Sequence, residues 1–122
     1  MTAGTWDGIG MPPGYPDIAT VRAYVRVPAT SLSDEDLDRM MTAAATSQAD
    51  GRDIERGRDP DTGERAPALV QAFLRRVQRQ IAGRNLPLGM VGVEAAEYGP
   101  TGIAIDSLII ELERPYVVAV LA

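Results

Sequence analysis

The chain of 122 residues contains no cysteine and no histidine, and all twelve of its basic residues are arginine. The absence of cysteine excludes disulfides and thiolate chemistry, and the absence of histidine removes the commonest general base and metal ligand. Without lysine, neither Schiff-base chemistry nor a P-loop phosphate site can be built. We therefore predict that the protein is not an enzyme and has no catalytic, cofactor-binding or metal-binding residues.

Aromatic residues and long apolar runs are also scarce. Aromatics form 5% of the chain, with one Trp and one Phe, so its core is thin and would gain from association with other subunits. The longest apolar run, 116–122, is too short to span a membrane, and residues 1–10 lack the pattern of a signal peptide. A formal net charge of −5 argues against non-specific binding to nucleic acid or to anionic membranes. We expect one small soluble domain.

Four segments have the pattern of helices. The first is predicted over about 17–26, after a capping Asp17 and before Pro28. The second begins after Ser33, where acidic residues occupy the first turn, and fades near 50–51. The third starts at Pro67 and has the strongest apolar stripe, and a short fourth follows Asp106 and ends at 114–115. The stripe of the third helix consists of Leu69, Val70, Phe73, Leu74, Val77 and Ile81.

Three segments lack this pattern. Residues 1–15 are rich in Gly and Pro and predict an extended N-terminal arm, whose Trp6 anchors the arm either on its own core or on a neighbouring subunit. Residues 51–66 are polar and predict a long solvated or disordered loop. The tail, 116–122, is extended and uncharged, so either it folds over its own helices or it adds to another protein by edge pairing, which we favour. The predicted fold is mainly α, a small helical bundle of about four helices.

Two charged clusters are candidates for contacts between helices or subunits. Asp34, Glu35 and Asp38 lie in the first turns of the second helix, and Arg75, Arg76, Arg79 and Arg84 form a basic stripe on the third. Pairing between these clusters, within one subunit or across two, is the favoured interpretation. Solvation ranks second and nucleic-acid binding third, because the overall charge is negative and no aromatic is interleaved.

The run Asp59-Pro-Asp-Thr-Gly-Glu64 has the alternating acids of a calcium loop. Gly63 and Glu64 stand at its fifth and sixth positions, where an EF-hand needs an oxygen ligand and a glycine, and its twelfth position is Val70. We therefore predict an ordinary turn rather than a calcium site.

Several runs of the chain form a recognisable series. Four of them are helical: Pro16 to Pro28, Ser33 to Asp38, Ala68 to Val77 and Asp106 to Tyr116. The most specific is the turn Arg84-Asn-Leu-Pro-Leu-Gly89, which the turn Tyr98-Gly-Pro100 follows. Over about residues 16–116 this series resembles the head-to-tail connector (adaptor) proteins of long-tailed bacteriophages. The segments 1–15 and 51–66 depart from the family's pattern.

The resemblance implies a structural virion protein of the head-tail junction, assembled in the host cytoplasm. Such a subunit forms a homo-oligomeric ring, which the family implies to be twelve-fold, that extends the DNA channel below the portal and receives a downstream stopper or tail protein. DNA would pass through the lumen without specific binding, and no cofactor or membrane is implied. A stopper or tail-completion protein is the alternative in the same setting, and a small helical DNA-binding protein is the alternative from another class.

On this basis the predicted interface residues fall into two sets. The contact between subunits is assigned to Arg75, Arg76, Arg79, Asp34, Glu35, Asp38 and Trp6. Portal binding is assigned to Tyr116, Val117, Val118, Val120 and Leu121.

Overall fold

A computed structural model describes residues 11–84 and 106–118. This part of the chain contains four α-helices and a closing 3-10 turn, and its only β-pairing is an isolated antiparallel bridge between Arg52 and Val117. The prediction of a mainly α bundle is therefore confirmed, and each helix begins and ends within about two residues of its expected position. The helices are α1 (Ile18–Val25), α2 (Asp34–Ala49), α3 (Pro67–Arg84) and α4 (Ser107–Glu113), and the 3-10 turn is Arg114–Tyr116.

Side-chain caps from Asp17, Ser33 and Asp106 fix where α1, α2 and α4 start. Asp17 accepts a hydrogen bond from the Thr20 amide at 2.8 Å at the start of α1. The Ser33 hydroxyl oxygen accepts a hydrogen bond from the backbone amide of Asp36 at 3.2 Å, where α2 begins. Such caps satisfy amides that have no partner inside the helix, which is why short polar residues mark the helix starts in the sequence.

The main core lies between α1, α2 and α3. Val21 of α1 and Phe73 of α3 are fully buried, and the predicted stripes of α2 and α3 supply most of the rest. Met11, the first described residue, packs against this core, so the described end of the predicted N-terminal arm belongs to the body of the domain. The buried members of the cluster are Val21, Leu32, Leu37, Met41, Ala44, Ala45, Phe73, Leu74, Val77 and Ile81.

The loop 51–66 has no regular secondary structure, as predicted, but the expectation of disorder was wrong. Ile54, Arg65 and Ala66 are buried, and with Leu69 of α3 the two apolar residues form a second small core. Its exposed tip is a turn in which Asp59 accepts hydrogen bonds from the amides of residues 61 and 62 at 2.7 and 3.2 Å. These local bonds confirm the turn interpretation of the acidic run.

Candidate functional site

A buried carboxylate, that of Glu113, lies where α4 meets α3. Its two oxygens accept hydrogen bonds from Nε and Nη2 of Arg76 at 2.7 and 2.6 Å. Nε of Arg52 lies 2.8 Å from Oε1, and Nε2 of Gln48 donates to Oε2 at 2.8 Å. The Glu113 side chain is only 1% exposed, so one carboxylate is enclosed by two guanidinium groups and an amide.

Gln48 extends this network to the N-terminal side of the domain. Its Nε2 also donates to the carbonyl of Leu69 at 3.0 Å, and its Oε1 accepts a hydrogen bond from the Tyr15 hydroxyl. The Tyr15 ring lies 4.6 Å from that of Phe73, centre to centre. Burial raises the pKa of Tyr15 to about 12, with smaller opposing effects from the charges of Arg65 and Glu113, so the hydroxyl stays protonated and remains a donor at neutral pH.

The arrangement is that of a structural ion-pair centre. Bidentate contact between a guanidinium and a carboxylate is the strongest geometry for such a pair, and the buried oxygens of Glu113 have their hydrogen-bonding capacity largely used. The network joins α2, α3, α4 and the loop through four side chains: Gln48, Arg76, Glu113 and Arg52. Within the described ranges there is no group of three or more acidic side chains placed to hold a metal ion.

The loop 51–66 holds both ends of the described chain. On one side, the Arg65 amide donates to the Gly14 carbonyl at 3.0 Å. On the other, the amides of Asp53 and Val118 donate to the carbonyls of Tyr116 and Gly51 at 2.8 and 2.9 Å. The segment predicted to be a solvated break is thus bonded to the described N-terminal residues and to the start of the tail.

The arginines of the predicted basic stripe differ in their environment. Arg76 is paired with Glu113, and Arg75 contacts Asp106 through Nε at 3.1 Å and Nη2 at 2.8 Å. Arg79 is partly buried and makes no ion pair with any described residue. Arg75 and Arg76 therefore pair with acids at the two ends of α4 rather than with the acids of α2. The contact of Arg75, Arg76 and Arg79 with a neighbouring subunit stays a prediction.

The acidic residues of α2 point to solvent. Asp34 pairs with Arg22 of α1 at 2.6 Å, and Glu35 pairs with Arg39 one turn along at 2.8 Å. Asp38 is exposed and has no ion-pair partner in the described part of the chain. Of the three predicted contact residues on α2, only Asp38 lacks an ion pair with another described residue.

The beginning of the tail is docked, and the residues after it are exposed. Tyr116 packs against the small core of Ile54, Ala66 and Leu69, whereas Val117 and Val118 are 57% and 49% exposed. The backbone groups of Tyr116 and Val118 are therefore hydrogen-bonded within the chain. Edge pairing of the tail with another protein stays a prediction for residues 119–122. Three of the predicted interface residues lie outside the described residues: Trp6, Val120 and Leu121. The same is true of the turn Tyr98 to Pro100 and of the motif Arg84 to Gly89, of which only the backbone of Arg84 is described.

Large exposed apolar side chains are concentrated in one stretch. In residues 11–84 and 106–118 there are four of them, and all lie between positions 108 and 118. Leu108 is 41% exposed, and the buried positions of α4 are Ile109 and Glu113. The four residues, named here the α4 patch, are Leu108, Ile110, Val117 and Val118.

Sequence reasoning missed Glu113, Gln48, Arg52 and Arg65. Glu113 follows Ile109 by one helical turn, so a charged side chain continues the buried face of a short helix. That pattern is a usable signal, because a buried acid demands a cation and Arg76 stands on the neighbouring helix. Gln48, Arg52 and Arg65 carry no such signal, since polar residues at helix ends and in loops are ordinarily solvated.

Comparison with protein-family models, with curated proteins and with solved structures finds no significant match. None of the described helices is both long enough and apolar enough to cross a membrane.

Proposed function

We propose that the protein is a head-tail connector, a structural virion subunit that forms a ring below the portal, extends the DNA channel and joins capsid to tail. The helical motifs that resemble the family fall at defined places in the bundle: Ser33 to Asp38 covers the capped start of α2, and Asp106 to Tyr116 covers α4 with its closing turn. Ala68 to Val77 lies within α3 and includes the buried Phe73. The runs that carry the resemblance thus coincide with helices of the bundle.

The observation that carries the proposal is the α4 patch. Exposed apolar side chains that share one surface are characteristic of protein-binding sites, and in this proposal the four residues, which lie close together in the sequence, form such a surface. The chain continues from this patch into Ala119-Val-Leu-Ala122, four uncharged residues. A connector needs such a surface, because its function is to hold together proteins that are otherwise separate.

The charged surfaces support a contact between like subunits. The exposed acids of α2 and the partly buried Arg79 of α3 lie on different helices, as a head-to-tail ring contact requires. Since Arg75 and Arg76 are already paired within the chain, the proposed contact depends on Arg79 among the described basic residues of that stripe. Acids that face the lumen would also let DNA slide without adhering.

The proposal is tested by the solution mass of the protein, measured by light scattering alone and after mixing with the cognate portal ring. We expect a ring-sized mass, or movement of the protein onto the portal peak. A monomer that ignores the portal contradicts the proposal.

A truncation tests the tail. Removal of residues 119–122 spares the docked residues 116–118, so the variant should fold with an unchanged circular dichroism spectrum and fail to bind the portal. Replacement of the exposed Glu111 by Gln, which leaves the α4 patch intact, is the matched control. Portal binding by the truncated protein at the affinity of the full chain would contradict the role of the tail.

The DNA-binding alternative is opposed by the ion pairs of Arg75 and Arg76, because phosphates would have to displace Asp106 and the buried Glu113. It predicts strongly salt-dependent binding to duplex DNA. A salt titration of duplex affinity therefore separates it from the connector proposal.

A further inference from the structure

Two segments from opposite ends of the described chain contact the loop 51–66. We name residues 11–15 the N-terminal strap and residues 116–118 the tail start. The strap contacts the loop through the amide of Arg65, which donates to the Gly14 carbonyl at 3.0 Å. The tail start contacts it through two backbone hydrogen bonds, of 2.8 and 2.9 Å. One loop therefore binds both segments.

One route of contacts joins the two segments through the interior of the loop. Tyr116 packs against the small core that includes Ile54. The Ile54 carbonyl accepts a hydrogen bond from Nη1 of Arg65 at 2.6 Å, and the Arg65 side chain is 0% exposed. The guanidinium carbon of Arg65 lies 5.1 Å from the centre of the Tyr15 ring. Along this route, only Ile54 and Arg65 stand between the two tyrosines.

A second route runs through the buried network of Glu113. The Tyr15 hydroxyl donates to Oε1 of Gln48, and Nε2 of Gln48 donates to Oε2 of Glu113 at 2.8 Å. On the other side of that carboxylate, Nε of Arg52 lies 2.8 Å from Oε1. Arg52 is also the partner of Val117 in the isolated antiparallel bridge. The strap and the tail start are thus connected by two separate routes.

The tail start is weakly attached to the loop. Its pairing consists of one bridge and two backbone hydrogen bonds, and Val117 and Val118 are about half exposed. The core that Tyr116 contacts has three buried residues and is separate from the main core between α1, α2 and α3. Local opening is easiest where few apolar contacts are buried and backbone hydrogen bonds are exposed. The tail start can therefore leave the loop while the main core stays folded.

We propose that the strap and the tail start are coupled, so that release of either segment from the loop weakens the attachment of the other. Release of the tail start uncovers the core that includes Ile54 and removes the bridge to Arg52, and both changes reach the contacts of Tyr15. Coupling between two sites is reciprocal, so release of the strap weakens the tail start by the same factor.

This coupling makes the loop 51–66 a conformational switch. A protein that pairs with the tail start in extended form would also free the strap. The inference does not depend on the connector function, since it concerns only contacts within one chain.

Native-state hydrogen exchange measured by NMR tests the coupling, because three backbone amides report the two attachments. The Arg65 amide reports the strap, and the amides of Asp53 and Val118 report the tail start. Tyr15→Phe keeps the ring and deletes the hydrogen bond to Gln48. We expect all three amides to exchange about fivefold faster in this variant, the scale of one lost hydrogen bond.

Tyr24→Phe is the matched control for the loss of a tyrosine hydroxyl. The Tyr24 hydroxyl accepts a hydrogen bond of 3.4 Å from the exposed Gln71 and belongs to neither route. The three reporter amides should therefore exchange at the wild-type rate in this variant.

The reverse perturbation starts from the tail. Val118→Pro deletes the amide that donates to Gly51, and the φ of −66° and ψ of 129° at Val117 are those that a following proline favours. We expect the Arg65 amide to exchange about fivefold faster in this variant. Val118→Ala keeps the amide and is the matched control, in which the Arg65 amide should exchange at the wild-type rate.

Three results would overturn the proposal. In the first, Tyr15→Phe speeds exchange of the Arg65 amide alone, which shows that the two attachments open independently. In the second, Val118→Pro leaves the Arg65 amide at the wild-type rate. In the third, the amide of Val77, in the buried stripe of α3, speeds up by the same factor as the reporters, which assigns the effect to global unfolding. If Tyr15→Phe does not fold, Val118→Pro and its control decide the question.

Discussion

Arg76 and Glu113 form a bidentate ion pair across the interface of α3 and α4, with nitrogen-to-oxygen distances of 2.7 and 2.6 Å. The acid is almost entirely buried, and the arginine side chain is only 18% exposed. Gln48 and Arg52 complete the enclosure of the carboxylate. The short helix α4, in which Leu108 and Ile110 are exposed, is thus held to the bundle by a charge pair as well as by the packing of Ile109.

Loss of the buried carboxylate should destabilise the whole bundle. Glu113→Ala leaves Arg76 and Arg52 as uncompensated cations, both of them largely buried, and breaking such a pair costs about 3–5 kcal/mol. The free energy of unfolding from urea titration measures this loss. The control, Glu111→Gln, removes an exposed acid 3.8 Å from Arg114 and should change stability by less than about 1 kcal/mol. Equal losses in the two variants would show that the Glu113 network contributes nothing special.

Asp106 should make the stability of α4 depend on pH. Burial alone would raise the pKa of Asp106, but hydrogen bonds from Arg75 and from the amides of residues 109 and 108 outweigh it and hold the pKa below its usual value. A folded-state pKa below the unfolded one gives stability that is present above the unfolded pKa and is lost as pH falls through the folded pKa. Thermal unfolding scans between neutral pH and pH 3 should therefore show a steeper loss for the wild type than for Asp106→Asn.

The comparison with alanine separates the charge of Asp106 from its capping role. Asn keeps an oxygen that accepts the helix amides, so Asp106→Asn loses the charge and retains the cap. Asp106→Ala loses both and should cost about 1–2 kcal/mol at neutral pH relative to the wild type. A pH profile for Asp106→Asn that is as steep as that of the wild type would assign the acid sensitivity to other carboxylates.

Gly14 and Gly51 offer a matched pair of substitutions. Both have a positive φ, +92° and +73°, which costs an alanine about 1–2 kcal/mol. A Cβ at Gly14 would also lie 2.5 Å from the backbone oxygen of Gly63, whereas none of the surrounding atoms is within 4 Å of a Cβ at Gly51. Gly14→Ala should therefore destabilise the protein more than Gly51→Ala does in urea unfolding. Equal effects would mean that the N-terminal segment shifts freely away from the loop.

Asp38 is the best position for testing the proposed contact between subunits. Asp34 and Glu35 are paired within the chain, so their reversal to arginine would disturb contacts of the fold itself, whereas Asp38→Arg breaks no ion pair among the described residues. We expect Asp38→Arg to keep the wild-type melting temperature and to reduce the mass of the assembled ring in light scattering. Intact rings that pass DNA more slowly would instead place Asp38 on the channel wall.

The sequence by itself determined the positions of the four helices. Capping residues such as Ser33 and Asp106, the prolines next to helix ends and the periodic stripe around Phe73 are local signals, and local hydrogen bonding and side-chain periodicity decide where a helix begins and ends. The same signals identified the turn at Asp59. The resemblance to connector proteins also depends on such local runs.

Only the tertiary structure decided which charges are buried and what the loop does. The composition of residues 51–66 is that of a solvated segment, yet Ile54 and Arg65 are buried because Tyr116 packs against Ile54 and the ring of Tyr15 lies against Arg65. Glu113 is turned inward because Arg76 and Gln48, 37 and 65 residues away in the chain, surround it. Partners at such separations leave no periodic trace in the sequence, since a buried charge is stabilised by whatever the fold brings next to it.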